Sequence, residues 1–299
     1  MTRVVSALSR LEALGDATAT LMRAGVESAR SDAEWLLASV LGLDRFAVYL
    51  GPGRELAAGD AWRYCGLVAR RSTRVPLQHL LGFEEFHGMR LAVNADVLIP
   101  RPETEGLVQW AIERLRDEPS SIVADVGTGS GAIACALARS LSGLRVLAIE
   151  RSLAALALAA SNVRDLGLSQ QIMLLPGDLL EPIGACRLDA VFANPPYLPT
   201  AVLASLPPEV SRFEPREALD GGGDGMAVIR RIVAAAPFVL RPQGRLMMEI
   251  GEEQGGAVAS LLAAAGFTDI EARRDLVGRE RYVTGRLSET STLPTRRTC

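Results

Sequence analysis

From Ser121 to Leu287 the chain alternates short apolar runs with longer helix-prone runs, and no other feature restricts its fold so strongly. The runs predicted as strands are Ser121 to Asp125, Leu144 to Glu150, Gln171 to Leu175, Ala190 to Ala193, Gly244 to Ile250, Asp269 to Arg273 and Arg281 to Leu287. Where a helix separates two strands the chain must cross back before the next strand begins, so the strands pair in parallel and the helices cover both faces. The final two runs meet around Gly278 and are expected to be antiparallel, unlike the rest. The pattern therefore specifies an α/β fold with a seven-stranded, mostly parallel sheet.

The first part of the chain has a different period. Leu8, Leu11, Leu14, Leu21 and Met22, then Trp35, Leu36, Val40 and Leu41, recur at helical spacing. They predict a bundle of four or five short helices, broken at Gly15, Gly25, Gly42 and Gly51-Pro52-Gly53, with Ser31 and Asp32 placed to cap a helix. Phe83-Glu84-Glu85-Phe86, a His87-Gly88 turn and Met89 to Val93 then read as a β-hairpin. The expected division is a helical bundle over 1–75, a hairpin linker over 76–102, a sheet domain over 103–287 and a tail over 288–299.

Composition narrows the function. With 299 residues, 48% of them apolar, the chain can offset the ordering entropy of most of its length. A net charge of −3 gives no basic field for a phosphate backbone, which weighs against a free nucleic acid as partner. The four cysteines form no C-x-x-C pair and there are only two histidines, so neither disulfides nor a metal site are signalled. No apolar run approaches the roughly 18 residues of a membrane span, and no signal pattern opens the chain. A cytoplasmic protein with no membrane partner is expected. His79 and His87 are read as structural, and Cys135 as core.

Asp125-Val126-Gly127-Thr128-Gly129-Ser130-Gly131 joins the first strand of the sheet domain to a helix. Open α/β sheets bind nucleotides at such a loop, where glycines let the backbone approach the ligand and a helix N-terminus begins. Glu150, at the tip of the second strand, is suited to accept from both hydroxyls of a ribose. Past the third strand, Asp178 could accept from an adenine amine and the Leu179 N–H could reach a ring nitrogen, although an ordinary Gly-Asp turn is equally compatible. Gly127-x-Gly129-x-x-Ala132 with Glu150 also satisfies a relaxed dinucleotide fingerprint, so these residues alone leave a dehydrogenase open.

Asn194-Pro195-Pro196-Tyr197 decides between the two. It ends the fourth strand, and its prolines have no N–H to donate and hold the preceding residues extended, leaving acceptors free. An amide nitrogen is a poor nucleophile because its lone pair is delocalised. If the Asn194 oxygen and the Pro195 carbonyl accept its two N–H bonds, the nitrogen is oriented and positive charge on it is favoured, while Tyr197 lays its ring against the flat amide. A nicotinamide enzyme has no use for these residues.

Together these segments closely resemble the HemK/PrmC family of release factor glutamine methyltransferases, almost end to end. The likeness includes Pro76 to Gly82, Leu98 to Glu105, Gly127 to Gly131, Asn194 to Tyr197, Glu214-Pro215, Gly221 to Gly225, and Glu249-Ile250-Gly251 with Gln254. It implies a Rossmann-like class I methyltransferase that uses S-adenosylmethionine, with an N-terminal helical domain recognising class I release factors and a target glutamine in their Gly-Gly-Gln loop. It assigns Gly127, Thr128, Gly129, Ser130 and Gly131, with Glu150 and Leu179, to the cofactor, beside which Asp125, Asp178 and Asn194 are read as further cofactor contacts. Asn194, Pro195 and Tyr197 become catalytic, and Pro196, Arg101 and Glu103 join them as substrate contacts. Glu150 stands where the family usually has Asp, and Leu179 where an aromatic residue often covers adenine. Arg101 to Glu105 is expected at the mouth of the site, as a closing segment or simply as a helix start. Arg212, Glu214 and Arg216 are read as its rim. Methylation of a ribosomal-protein glutamine, of adenine N6 in DNA or RNA, or mere sensing of the cofactor are the alternatives.

Overall fold

A computed structural model describes residues 9–50, 54–117, 120–184 and 187–289. In chain order the helices are α1 (Arg10–Arg23), α2 (Ala29–Leu41), α3 (Ala58–Ser72), α4 (Leu77–Leu81), α5 (Pro102–Leu115), α6 (Ala132–Ser140), α7 (Leu153–Asp165), α8 (Pro208–Phe213), α9 (Ala227–Val239) and α10 (Gly255–Ala264). The strands are β1 (Phe83–Phe86), β2 (Met89–Ala92), β3 (Ile122–Val126), β4 (Arg145–Glu150), β5 (Ile172–Pro176), β6 (Leu188–Ala193), β7 (Leu240–Glu249), β8 (Phe267–Arg274) and β9 (Glu280–Leu287). They form two compact units: residues up to Phe83 together with Pro207–Phe213, and Glu84–Leu206 together with the chain from Glu214 onward.

The first unit is helical. Ser9 caps α1 reciprocally with Glu12, each accepting from the other's backbone N–H, so two otherwise orphaned donors are satisfied. Leu14, Ala17 and Leu21 then bury one face of α1. Gly15 is not a break, because this stripe continues through it and its burial outweighs the roughly 1 kcal/mol that glycine costs in a helix. Nor do Ser31 and Asp32 cap a helix, since α2 already begins at Ala29. Asp32 faces inward instead and accepts from Arg71 Nε at 2.7 Å, both side chains being buried. Arg71 also meets Glu209 of α8 at 2.9 Å, and Arg74 pairs with Glu209 through two bonds of 2.6 Å. Gly42 ends α2 at φ 63°, a left-handed conformation that glycine adopts without a Cβ penalty. The expected break at Gly51 to Gly53 and nearly all of the tail lie outside the described residues.

The second unit contains a seven-stranded sheet in the order β5-β4-β3-β6-β7-β9-β8. Only β9 is reversed, since it runs antiparallel to both β7 and β8; β8 shares the direction of the other strands. Strand β7 starts at Leu240 rather than Gly244, because Leu240 pairs with Leu188 across a register shift that precedes the regular ladder Ala190↔Arg245 to Ala193↔Met248. Alternate residues of each strand enter different cores: Phe192 and Met247 pack on the side of Trp110 and Leu137, whereas Val191, Leu246 and Met248 pack on the side of Ile229 and Leu262. Burial on both faces is why the central strands read as unbroken apolar runs.

The hairpin turns through His87 at φ 48° and Gly88 at φ 69°, the two left-handed residues of a twist-compatible turn. Its Phe86, Met89 and Leu91 are fully part of the core that holds α5. No helix among the described residues is long and apolar enough to cross a membrane.

Because Arg71 is buried, removing the carboxylate beside it leaves a charge short of one partner. Asp32→Ala should lower the unfolding free energy of the intact chain by about 3 kcal/mol in denaturant titrations; a loss well under 1 kcal/mol would mean that Glu209 alone satisfies Arg71.

Candidate active site

The connection from β3 runs to β4 on one side, while β6 pairs with β3 on the other. This reversal opens a crevice at the carboxyl ends of the central strands, where open α/β sheets bind ligands. A cleft of about 1140 Å³, its open mouth included, occupies that position within the second unit.

Its floor is the glycine loop. Gly127 and Thr128 donate their N–H groups to Ile149 O at 2.9 Å, and Gly131 N donates to Thr128 O at 2.8 Å, folding the loop back between β3 and β4. Gly127, Gly129 and Gly131 have φ of 71°, 55° and 84°, which side chains rarely tolerate. Asp125 lies beneath, fully buried. Its Oδ2 accepts from Thr128 Oγ1 at 2.6 Å and Ala134 N at 3.1 Å, and its Oδ1 has no partner among the described residues. Burial raises this carboxyl to about 6 in spite of those two donors.

Glu150 ends β4 with one oxygen accepting from Gly129 N at 3.0 Å and the other from Ser152 N at 2.9 Å. The carboxylate is thus oriented by the loop it faces, and each oxygen keeps acceptor capacity for a ligand. Beyond β5, Leu179 adopts φ 51° on the cleft wall, an unfavourable conformation for a branched side chain. Asp178 also borders the cleft, but Arg231 pairs with it at 2.6 Å.

Asn194, Pro195 and Pro196 border the cleft from the end of β6. Asn194 Nδ2 donates to Thr104 Oγ1 at 3.0 Å, which leaves Oδ1 as the edge available to a ligand. Thr104 in turn donates to Glu249 Oε2 at 2.7 Å, and the Tyr197 hydroxyl donates to Glu249 Oε1 at 3.1 Å. Burial, the larger influence, raises the Glu249 carboxyl above its ordinary value although both hydroxyls oppose it. Burial likewise raises the Tyr197 phenol, so it stays protonated. Gln254 Nε2 holds the Tyr197 carbonyl at 3.0 Å, and Gly225, at φ 74°, packs so closely on that carbonyl that a Cβ would collide with it.

The residues singled out in the sequence divide by this geometry. Gly127, Thr128, Gly129 and Ser130 meet Glu150, Leu179 and Asn194 around one cleft. Asp125, Gly131 and Tyr197 stand behind it, bracing the loops. Arg101 borders the mouth with its guanidinium paired at 2.5 Å to Glu214, a buried carboxylate that also accepts from Ile99 N. Glu103 is exposed in the first turn of α5 and is absent from the cleft lining. Of the expected rim, Glu214 is buried, Arg216 is exposed and paired with Asp220, and Arg212 belongs to α8 of the first unit. Thr104 lies within the Arg101 to Glu105 segment expected at the mouth but has no role of its own in that reading, and Glu249 has only its place in a segment that carries the family resemblance.

Residues 12–82 match a family model described as the PrmC N-terminal domain, and 108–204 one described as the methyltransferase small domain. A release factor glutamine methyltransferase of Geobacter sulfurreducens is 44% identical over 89% of this chain and 93% of its own length. One of Moorella thermoacetica is 45% identical over 90% and 95%. The chain belongs to the release factor glutamine methyltransferase family. Solved structures share its fold at lower identity. The hMettl16 catalytic domain in complex with MAT2A 3'UTR hairpin 6 aligns with TM-score 0.55 and 19% identity, over 81% of this chain and 87% of that one. The T. thermophilus 16S rRNA methyltransferase RsmC, in complex with AdoMet and guanosine, gives 0.50 and 20%, over 69% and 49%.

For this family member the loop geometry makes two predictions. Valine in place of Gly129 costs about 1–2 kcal/mol of backbone strain and adds bulk to a residue that lines the cleft, so Gly129→Val should weaken S-adenosylmethionine binding at least about tenfold by calorimetry. Asp125 has a folded pKa of about 6 against an ordinary 3.8, so its contribution to stability is complete below the ordinary value and is lost as pH rises from there through about 6. Denaturant titrations of the native chain should show that decline, and Asp125→Asn should remove it.

Proposed function

We propose that this chain transfers the methyl group of S-adenosylmethionine to the side-chain nitrogen N5 of a glutamine in peptide chain release factors, namely the glutamine of their Gly-Gly-Gln loop. The observation that carries this reading is the orientation of Asn194. With its NH2 committed to Thr104, the side chain offers an oxygen beside the cofactor cleft. A carboxamide substrate brings two N–H donors and needs acceptors, which the Asn194 oxygen and the Pro195 carbonyl supply.

The cleft suits the cofactor by its chemistry. The glycine loop lets an elongated ligand approach the backbone, and Glu150 offers carboxylate oxygens for ribose hydroxyls. Leu179 and Asp178 are the residues for adenine; the Asp178 ion pair with Arg231 reduces its freedom to accept, so more of that task falls to the Leu179 backbone. When bound, the cofactor would supply an electrophilic methyl group on a sulfonium centre and leave as the neutral thioether, while the methylated nitrogen loses one of its two protons. The protein's part is to fix the amide nitrogen in line with that methyl and to stabilise positive charge as it grows on nitrogen. Asn194 and Pro195 do both through oxygen dipoles, and Tyr197, behind the cleft, braces them through its bond to Glu249.

The helical unit is the part we assign to recognition of the release factor. It is matched as a separate family domain, and it forms a compact body with its own core. Release factors act in the cytoplasm, and we place the chain there with them, with neither nucleic acid nor membrane as its direct partner.

Labelled methyl transfer to purified release factor, ribosomal subunits and DNA, run in parallel, tests the assignment. Label should appear on the release factor at its Gly-Gly-Gln glutamine; label on nucleic acid or ribosomal protein with none on release factor overturns it. Asn194→Ala should lower kcat by at least about 100-fold, the scale of losing a positioned polar group at a reacting centre, with cofactor affinity nearly unchanged. Near-normal turnover in that variant would exclude the role given to Asn194.

A further inference from the structure

Asn194 is the outer end of a directed chain of donors that runs inward to one carboxylate. Its Nδ2 donates to Thr104 Oγ1, Thr104 donates to Glu249 Oε2, and Tyr197 donates to Glu249 Oε1. Glu249 is 1% exposed and Thr104 4%, so water does not substitute for these partners. A threonine hydroxyl has a single proton. While Glu249 is ionised it only accepts, so that proton is committed to it and Thr104 has nothing but lone pairs to offer Asn194. Only the NH2 edge of the asparagine can meet lone pairs, which leaves the oxygen edge for a ligand in the cleft that Asn194 lines.

A donor at position 249 would reverse the sequence. Thr104 would then accept from it and donate to Asn194 Oδ1, and the asparagine would present NH2 to the substrate. That face suits a carboxylate and opposes a carboxamide nitrogen. The charge at the end of β7 would thus select between two substrates that are nearly identical in shape, a glutamine and a glutamate side chain. The fold makes the arrangement possible: β6 and β7 are parallel neighbours in register at Ala193↔Met248, which puts Asn194 and Glu249 side by side just beyond. Thr104, in the first turn of α5, completes the link.

We propose that Glu249, acting through Thr104, is a positioning and specificity-determining residue that holds the Asn194 amide oxygen toward a carboxamide substrate. The inference rests on the reading that Asn194 Oδ1 receives the glutamine N–H. Several other groups act on Glu249. Arg281 of β9 attracts its charge, Glu103 of α5 opposes it, and Tyr282 of β9 is its ladder partner. Arg281 also approaches the face of Tyr197, with 6.0 Å from guanidinium to ring centre. Burial outweighs these influences and raises the carboxyl, so protonation, which converts the acceptor into a donor, begins at a higher pH than for an exposed glutamate.

Thr104→Val keeps the shape and removes the hydroxyl, Thr104→Ser keeps the hydroxyl, and Glu249→Gln keeps the shape but lets either amide edge face Thr104. Full-length variants are assayed on release factor carrying Gly-Gly-Gln, with a release factor carrying Gly-Gly-Glu as competitor. Thr104→Val and Glu249→Gln should lower kcat by about 10- to 100-fold while cofactor affinity changes less than about twofold, and both should bind the Gly-Gly-Glu competitor more tightly than the unmodified enzyme does. Thr104→Ser should recover turnover to within about threefold. The acid limb of kcat/KM should lie above the ordinary glutamate range and vanish in Glu249→Gln. If the unmodified enzyme methylates release factor while Thr104→Val and Glu249→Gln match it in turnover, competitor binding and pH profile, this inference fails and the proposed function stands. If the unmodified enzyme leaves release factor unlabelled, the reading beneath it fails too.

Discussion

The parallel pairing of β3 with β6 organises the second unit. It joins two halves of the sheet whose connections leave in opposite directions, and their loops part over the carboxyl ends of the strands. The glycine loop, Glu150 and Asn194 each lie at or just past the end of a strand, so a single register sets their mutual distances. Shifting one strand by a residue would turn its apolar side chains from one core to the other and displace the loop it carries. The core packing that stabilises the sheet therefore also holds the site.

Buried carboxylates recur in this unit, and each orients something. Asp125 binds the glycine loop to the start of α6, Glu214 ties Arg101 to the backbone at Ile99, and Glu249 joins α5 to β6. Burying a charge is unfavourable unless donors surround it, and the pKa values of all three are raised in consequence. Such groups add little net stability. What they contribute is direction, because an ionised carboxylate can only accept and so imposes a hydrogen-bond polarity on its neighbours.

Much of the fold was legible because it depends on local patterns. Central strands buried on both faces are near-continuous apolar runs, and the spacing of Leu14, Ala17 and Leu21 marks one helix face. Local rules misled where burial overruled them. Gly15 is carried through α1 by its flanking apolar stripe, and Asp32 faces Arg71 in a core rather than capping a helix. The reversed direction of β9 alone and the early start of β7 depend on partner strands, which local sequence does not name.

The sequence by itself determined which chemistry was available: glycines for a loop at positive φ, an acid at a strand tip, and an Asn-Pro-Pro-Tyr segment rich in acceptors. These are properties of single residues and short spacings. Tertiary structure decided which way the acceptors face. Thr104 and Glu249 are 145 positions apart in the chain and 2.7 Å apart in space, and only folding brings them together beneath Asn194. An asparagine is symmetric in shape about its amide, so its orientation is chosen by the groups it meets, and those groups come from distant segments.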